Sequence, residues 1–278
     1  MESVSNEYGG FSVIKIGKSV FDENKTHIMG ILNITDNSFS DGGKYLDIDK
    51  ALFHAEQMIN EGAEVIDVGG ESTKPGYIKI SDDEEISRVV PVIEKLKENF
   101  DVPISVDTYK SKVLTEAAKA GADMANDIWG FKYDKAMASV AAKYNMSACL
   151  MHNRENTDYT DFINEVISDL QESINIAAGA GVNNIIIDPG VGFAKSYEQN
   201  LEVIKDIGKL KKLGYPVLLG ASNKSVIGLT LNKEVDKRLY GTLATTAYAV
   251  ISGCAFVRVH NVAENMDIIR MTERILGK

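Results

Sequence analysis

Several acidic and amide side chains directly follow short apolar runs that are typical of buried strands. Asp188 ends the run Ile185–Ile187, and Asp107 and Asn126 end two further runs of this kind. A carboxylate is costly to desolvate, so a buried one needs a partner that donates hydrogen bonds to it. A flat heterocycle with adjacent N–H groups, such as a 2-amino-pyrimidinone, is one such partner. A helix cap or a core ion pair is the competing interpretation of each carboxylate.

Cationic side chains follow other runs or lie in the loops after them, namely Lys74, Lys224, Arg258 and His260. They suit the oxygens of a phosphate, although a lone lysine is more often a solvated surface residue. Asn33, at the end of the first run, can offer an oxygen to Mg²⁺, which takes few protein ligands beside phosphate and water. No cluster of histidines and cysteines occurs, so the sequence does not predict zinc.

The composition indicates a globular protein of the cytoplasm. The chain has 278 residues, 44% apolar content and a formal net charge of -10, without a basic tract, so neither a nucleic acid nor a membrane is an expected partner. Cys149 and Cys254 lie in apolar context, as reduced buried thiols do. No signal peptide is visible, and the uncharged stretch Leu239–Val257 contains Gly, Thr and Tyr, which favours a buried helix and strand over a membrane span.

Short apolar strands alternate with amphipathic helices along the whole chain. The predicted strands are His27–Leu32, Glu64–Val68, Pro103–Val106, Asp123–Ala125, Ser147–Met151, Ile185–Ile187, Pro216–Leu219 and Ala255–Val259. The predicted helices are Asp47–Asn60, Asp82–Asn99 with a capping box Ser81-x-x-Glu84, Lys110–Ala120, Asp134–Lys143, Asp161–Ala178, Tyr197–Leu210, Lys237–Ser252 and Ala263–Leu276. This alternation predicts an α/β fold, a (β/α)8 TIM barrel.

A doubly wound open sheet is the alternative, but the Gly-rich turn common after its first strand is missing. We expect a single domain over residues 1–278, in which residues 1–25 form a β-hairpin, turning at Gly17, that covers the closed end of the barrel. Because strands of a barrel end at one mouth, their polar ends are predicted to share one pocket. These residues are Asn33, Asp107, Asn126, Asp188 and His260, with Lys74 and Lys224 reaching in from loops.

Eight motifs, in order, resemble those of the dihydropteroate synthases, the pterin-binding enzymes of folate biosynthesis, and most closely those of Gram-positive bacteria. They are MGILNITDNSFSDGG (Met29–Gly43), DVGGESTKPG (Asp67–Gly76), ISVDTYK (Ile104–Lys110), NDIWG (Asn126–Gly130), LMHN (Leu150–Asn153), DPGVGFAK (Asp188–Lys195), GASNKSVIG (Gly220–Gly228) and RVHNV (Arg258–Val262). The resemblance implies a TIM barrel and a homodimer built largely from the late helices.

The resemblance also implies a transferase, a sulfonamide target that condenses 6-hydroxymethyl-7,8-dihydropterin diphosphate with p-aminobenzoate, assisted by Mg²⁺. Departure of the diphosphate in an SN1-like step requires no strong base. Lys224, Asp107 and Asp188 would be catalytic. The implied pterin residues are Asp107, Asn126, Met151, Asp188 and Lys224; the diphosphate residues are Thr73, Lys74, Arg258 and His260; the p-aminobenzoate residues are Phe39, Pro75, Phe193 and Ser225; and the metal residue is Asn33.

The sequence departs from the family pattern in three places. The first loop lacks the usual Pro and reads Asp36-Asn37, and Lys74 and Asn223 stand where arginines are usual. Altered sulfonamide sensitivity and weaker anion binding are therefore hypotheses. Two other functions compete with the synthase. One is a pterin-binding methyltransferase domain, and the other is a non-catalytic pterin-binding homologue.

Overall fold

The structure is a computed structural model that describes residues 13–34, 43–72 and 79–278, with only the backbone for residues 43–47. Its strands are β1 Val13–Ile16, β2 Ser19–Asp22, β3 His27–Asn33, β4 Val65–Gly69, β5 Ile104–Asp107, β6 Met124–Asp127, β7 Ser147–Met151, β8 Ile185–Asp188, β9 Leu218–Leu219 and β10 Phe256–Val259. Its α-helices are α1 Gly43–Glu61, α2 Asp82–Asn99, α3 Ser111–Lys119, α4 Met137–Lys143, α5 Phe162–Ala180, α6 Tyr197–Lys205, α7 Ser225–Leu231, α8 Leu239–Ser252 and α9 Val262–Ile275.

Strands β3 to β10 form one parallel sheet that curves into a barrel. Each strand pairs with the next in the chain from β3 to β8, while β10 lies between β3 and β9. The sheet closes between β8 and β9 through a parallel bridge of Ile187 to Val217, where the Ile187 amide donates to the carbonyl oxygen of Pro216 at 2.9 Å. The predicted (β/α)8 barrel is confirmed.

The strands are apolar on both faces because each lies between the barrel interior and the outer helices. In β8, Ile185 and Ile187 belong to the large cluster beneath the helices, and Ile186 belongs to the inner cluster. The alternation of side chains along a strand therefore places Asp188 on the inner side. No helix in the described ranges combines the length and apolar character of a membrane span.

The predicted N-terminal hairpin is present as β1 and β2. Its inward residues Ile14, Ile16 and Phe21 pack against the inner cluster at the N-terminal ends of the barrel strands. The turn needs Gly17, which has a φ of +58° and whose hydrogen faces Asp123; a Cβ there would lie 2.4 Å from the Asp123 Oδ1 atom. The hairpin thus packs against the end of the barrel opposite the strand C-termini.

Two local predictions about helices were wrong. The capping box at α2 is half formed, since Ser81 accepts from the Glu84 amide but the Glu84 carboxylate binds Arg88 at 2.6 Å. The helix predicted to run to Leu210 ends at Lys205 and is followed by a 3₁₀-helix, Ile207–Leu213. The structure also contains α7, directly after Lys224, where no helix was predicted.

Candidate active site

The polar residues at the barrel mouth lie two positions beyond inward apolar residues. Phe256 and Met124 belong to the inner cluster, and Arg258 and Asn126 follow them by two residues. Side chains alternate along a strand, so residues two positions apart point to the same side. In each of these two strands the inward residue nearer the start is apolar, and the next inward residue, nearer the C-terminal end, is polar. The candidate site is therefore the layer of inward side chains at the C-terminal ends of the barrel strands.

Arg258 links two buried carboxylates at the centre of the mouth. Its Nε donates to the Asp67 Oδ2 atom at 2.6 Å, and its Nη2 donates to the Asp107 Oδ2 atom at 2.7 Å. Asn126 Nδ2 donates to the same Asp67 oxygen at 3.1 Å. Asp67, to which the sequence analysis gave no role, therefore brings Asn126 and Arg258 together, and Arg258 binds Asp107. The sequence signal for Asp67 was its position inside an otherwise apolar strand, because a buried carboxylate needs a buried partner.

Two buried oxygens of this network have no hydrogen-bond partner among the described residues. They are the Oδ1 atoms of Asp67 and Asp107. Leaving a buried acceptor unsatisfied costs about 1–3 kcal/mol, so a ligand or water that donates to these oxygens is favoured. The mouth is accordingly suited to a ligand with N–H groups.

Asp188 and Lys224 meet beside Arg258 over Gly220. A Cβ on Gly220 would lie 3.4 Å from the Asp188 Oδ2 atom and 3.9 Å from both the Lys224 Nζ and the Arg258 Cβ. The Gly190 amide donates to the Asp188 Oδ1 atom at 2.7 Å. Lys224 Nζ donates to the Val191 carbonyl oxygen. A glycine at position 220 therefore leaves room for these groups to converge.

Apolar side chains form one wall of the mouth. Met151 packs with Tyr109 and Ile128, and Phe193 covers this cluster. The Lys224 Nζ lies 4.9 Å from the centroid of the Phe193 ring. This wall offers a face against which an aromatic ligand can stack. Ser225 begins α7 directly after Lys224 and is exposed.

The opposite side of the mouth carries His260 and Asn33. The Ser222 Oγ accepts from the His260 amide at 3.3 Å and lies 2.9 Å from the His260 Nδ1. Ser222 therefore holds both the backbone and the ring of His260, a side chain whose ring N–H is suited to an anion. Asn33 is exposed, and its Oδ1 would lie 3.6 Å from a Cβ on Gly69, as would the Asp107 Cβ.

Four of the predicted site residues lie outside the described residues, namely Phe39, Thr73, Lys74 and Pro75. The altered loop residues Asp36 and Asn37 do so as well. No group of three or more potential metal-ligating His, Cys, Asp or Glu residues occurs in the described part of the chain. Of the described residues, Asn33 is the one that the sequence analysis assigned to Mg²⁺.

Burial shifts the protonation equilibria at the mouth. Burial raises the pKa of Asp107 to about 7, although the Arg258 guanidinium opposes the shift, and burial also raises the pKa of Asp188, opposed by Lys224. Burial lowers the pKa of Lys224 to about 8, and the positive charge of Arg258 adds to this effect. A ligand that donates to these carboxylates and accepts from Lys224 would stabilise the charged forms of all three groups.

Asn223, where an arginine was expected from the family pattern, occupies a turn with a left-handed backbone. Its φ is +57°, a conformation that Asn adopts more readily than most residues. Its amide donates to the Thr242 Oγ1 at 3.1 Å, and its carbonyl oxygen accepts from Arg238 at 2.9 Å. Asn suits the backbone of this turn, which places Lys224 directly before α7.

Comparison with known proteins gives one consistent family. The family model described as "Pterin binding enzyme" matches residues 29–260. A dihydropteroate synthase of Clostridium beijerinckii is 57% identical over 269 residues, covering 95% of this chain and all of the relative. The structure of a dihydropteroate synthase from Clostridium difficile in the presence of pteroic acid is 49% identical with a TM-score of 0.89, covering 95% of this chain and 99% of that chain.

A more distant solved structure has the same fold. The dihydropteroate synthase of Xanthomonas albilineans with 4-aminobenzoic acid has a TM-score of 0.91 at 34% identity, covering 96% of this chain and 99% of that chain. The matches extend over nearly the full length of both partners, so they cover the barrel and every strand end at the mouth. The chain belongs to the pterin-binding enzymes and, among them, to the dihydropteroate synthases.

Proposed function

We propose that this chain condenses 6-hydroxymethyl-7,8-dihydropterin diphosphate with p-aminobenzoate to give 7,8-dihydropteroate and pyrophosphate. The observation that carries the proposal is that the Asp188 Oδ2, the Lys224 Nζ and the Arg258 Cβ lie within 3.9 Å of the Cβ position of Gly220. The positive charge of Arg258 also acts on the pKa of both Asp188 and Lys224. A buried carboxylate beside two cations suits a flat ring with N–H donors and an anionic substituent. The solved relatives with pteroic acid and 4-aminobenzoic acid support the same substrate pair.

The pterin ring is proposed to lie between the polar strand ends and the apolar wall. Asp188 would accept hydrogen bonds from the ring N3 and the 2-amino group, and Lys224 would donate to O4 and N5. Asn126 and Asp107 would complete the polar edge, where the buried Asp107 Oδ1 has no partner among the described residues. Met151 would pack against the ring face.

The diphosphate is proposed to lie on the side of Arg258 and His260, with Thr73 and Lys74 from the second loop. Ser222 holds the His260 ring, and a ring N–H of His260 would donate to a phosphate oxygen. Bound Mg²⁺ would neutralise charge on the leaving diphosphate, and the Asn33 amide oxygen is a ligand type that it accepts.

The residues present support dissociation before attack. Arg258 and His260 would stabilise the departing pyrophosphate, while the pterin ring delocalises the positive charge left on its methylene carbon. The neutral amine of p-aminobenzoate then forms the new C–N bond with its lone pair and releases a proton. Phe193 and Ser225 would position this substrate, and Phe39 and Pro75 would close over it. No strong base is needed at any step.

A homodimer is proposed from the apolar surface of α8 and α9. Tyr240, Tyr248 and Ile251 lie on one face of α8, and Ile251 is 60% exposed. Met271 and Ile275 lie one helical turn apart on α9, and Ile275 is 71% exposed. Exposed apolar side chains on two helices that pack against each other are typical of a subunit interface. A cytoplasmic location is also proposed, because the cysteines of the described chain are buried and unpaired, as is common in reducing compartments.

A turnover assay tests the proposed reaction. The purified protein is mixed with the dihydropterin diphosphate, p-aminobenzoate and Mg²⁺, and pyrophosphate release is followed together with formation of 7,8-dihydropteroate. We expect both products in equal amounts, with turnover abolished in Asp188→Ala and in Lys224→Ala. Pterin binding without turnover would favour a non-catalytic homologue, and methyl transfer to a corrinoid protein would favour a methyltransferase; either result would overturn the proposal.

A further inference from the structure

Lys195 lies behind the active-site wall and binds one loop at several points. Its Nζ lies 2.8 Å from the His152 Nδ1 and donates to the carbonyl oxygens of Gly190 and Phe193, each at 3.0 Å. In its protonated form the amine has three N–H bonds, and these three acceptors match them, which favours the charged form although burial lowers the pKa of Lys195 to about 7. The side chain therefore fixes residues 190–193, a segment that the reaction proposed above uses on its other face.

His152 is built to accept from Lys195. It is 1% exposed, and burial lowers its pKa to about 4, so the imidazole is neutral at physiological pH. Its Nε2 lies 3.1 Å from the Asp169 Oδ2, which assigns the proton to Nε2 and leaves Nδ1 as an acceptor. Asp169 in turn accepts from the Arg154 Nε at 2.6 Å. A continuous hydrogen-bonded chain thus runs from α5 to Lys195.

The front of the same loop contacts the two groups proposed to hold the pterin. The Gly190 amide donates to the Asp188 Oδ1 at 2.7 Å, and the Val191 carbonyl oxygen accepts from Lys224. The Phe193 ring lies 4.9 Å from the Lys224 Nζ. The loop is therefore held between two lysines, with Lys195 on the side away from the mouth and Lys224 on the mouth side. The loop also packs against the backbone that directly follows β7. A Cβ on Gly190 would lie 2.0 Å from the His152 carbonyl oxygen.

We propose that Lys195, oriented by His152, is a positioning residue that sets the geometry of Asp188 and Lys224 for pterin binding. Lys195 acts through the backbone of residues 190–193. The inference rests on the proposed function, since the pterin is the ligand whose binding it controls. A displacement of about 1 Å in such a contact is enough to cost up to about a hundredfold in rate.

The test is direct binding of two ligands that use different sides of the mouth. Calorimetry measures the dissociation constants of 6-hydroxymethylpterin and of pyrophosphate with Mg²⁺, for wild type, Lys195→Met, His152→Leu and the double variant. We expect each single variant to weaken pterin binding by about tenfold or more and pyrophosphate binding by less than about twofold. Because both residues act in one chain, the double variant should lose no more than the worse single variant.

The control is Lys97→Met, which removes a lysine that pairs with Asp123 at 2.9 Å near the closed end of the barrel. It should leave both affinities unchanged. If Lys195→Met does not fold, Lys195→Gln, which keeps an amide donor, is measured in the same way. Pterin affinity unchanged in the lysine variant, or both ligands weakened equally, would overturn the positioning role. Wild type that binds no pterin would instead overturn the proposed function.

Discussion

At the scale of single residues, the site depends on a carboxylate, Asp67, to which the sequence analysis gave no role. Asp67 is fully buried, and its Oδ2 accepts from both Arg258 and Asn126. It therefore orients one group proposed for the diphosphate and one proposed for the pterin. Asp107 binds the other end of the Arg258 guanidinium, so the guanidinium plane is held by two fixed contacts.

Asp67→Asn should disrupt this arrangement while keeping the shape of the side chain. The change leaves Arg258 with one carboxylate fewer in a buried site, and breaking such a pair costs roughly 3–5 kcal/mol. We expect kcat/KM to fall by about a hundredfold or more, measured by pyrophosphate release, and the urea midpoint of unfolding to fall. Asp83→Asn, which removes an exposed partner of Lys112, is the control and should change neither quantity. Wild-type kinetics in Asp67→Asn would contradict the role assigned to Asp67.

Lys224 should impose a pH dependence on the reaction. Its pKa is lowered by burial to about 8, so the cation is present at neutral pH and is lost as the pH rises through about 8. If that cation donates to the pterin, kcat/KM should decline above this pH. In Lys224→Arg, whose guanidinium stays charged, the remaining activity should show no decline in that range. A decline with the same midpoint in the variant would assign the titration to another group.

At the scale of elements, the loop after β8 depends on a glycine. Gly190 has a φ of +70°, and a Cβ there would lie 2.0 Å from the His152 carbonyl oxygen, so Gly190→Ala must displace backbone. The left-handed conformation alone costs about 1–2 kcal/mol. We expect Gly190→Ala to lower the free energy of unfolding by at least about 2 kcal/mol and to weaken pterin binding, measured by urea denaturation and calorimetry.

Gly179→Ala is the matched control for Gly190→Ala. Gly179 lies in α5, is exposed, and a Cβ there would have no neighbour within 4 Å. Alanine is favoured over glycine inside a helix by about 0.5–1 kcal/mol, so this variant should be slightly more stable than wild type. Equal stability changes in the two variants would show that the tight packing at residue 190 is not what limits substitution there.

The elements were predictable from the sequence where a local pattern decides them. Helix α2 has the predicted bounds, Asp82–Asn99, because a Ser cap, an acidic first turn and a long amphipathic repeat agree. Helix α7 escaped prediction because it is seven residues long and follows a left-handed Asn223, so neither length nor a cap marks it. Its position matters, since Lys224 directly precedes it.

The site was predictable only as a set of strand ends. The sequence predicted Asp188 as a strand end of the shared pocket and gave Arg258 only as a cation suited to phosphate. The structure places both side chains on the inner side of their strands, β8 and β10. Which inward groups bind one another depends on the register between strands that are far apart in sequence, and this is why the link from Arg258 to Asp67 was not foreseen. The same holds for the chain from Asp169 through His152 to Lys195, which joins a helix, a strand end and a loop.

At the scale of the whole molecule, the apolar face of α8 and α9 should determine the oligomeric state. Ile251→Lys places a charge on the proposed interface, and we expect it to shift the mass measured by light scattering from dimer to monomer. Phe53→Lys is the control, because Phe53 is 71% exposed but lies on α1. A monomeric wild type, or a dimeric Ile251→Lys, would contradict the proposed interface.

The molecule as a whole is understood as one barrel mouth with two unlike sides. Asp188 lies where a flat ring is proposed to bind, and His260, held by Ser222, lies where pyrophosphate is proposed to bind. Both positions are ends of strands in the same closed sheet. This division predicts that a substitution on one side weakens binding of one ligand and leaves binding of the other unchanged.

Calorimetric titration of Asp188→Asn and His260→Ala tests this division most directly. We expect Asp188→Asn to lose affinity for 6-hydroxymethylpterin by about a hundredfold while its affinity for pyrophosphate with Mg²⁺ stays within about twofold of wild type. We expect the reverse for His260→Ala, with a loss of about tenfold or more for pyrophosphate. Equal losses of affinity for both ligands in each variant would contradict the two-sided mouth. So would unchanged pterin affinity in Asp188→Asn together with unchanged pyrophosphate affinity in His260→Ala.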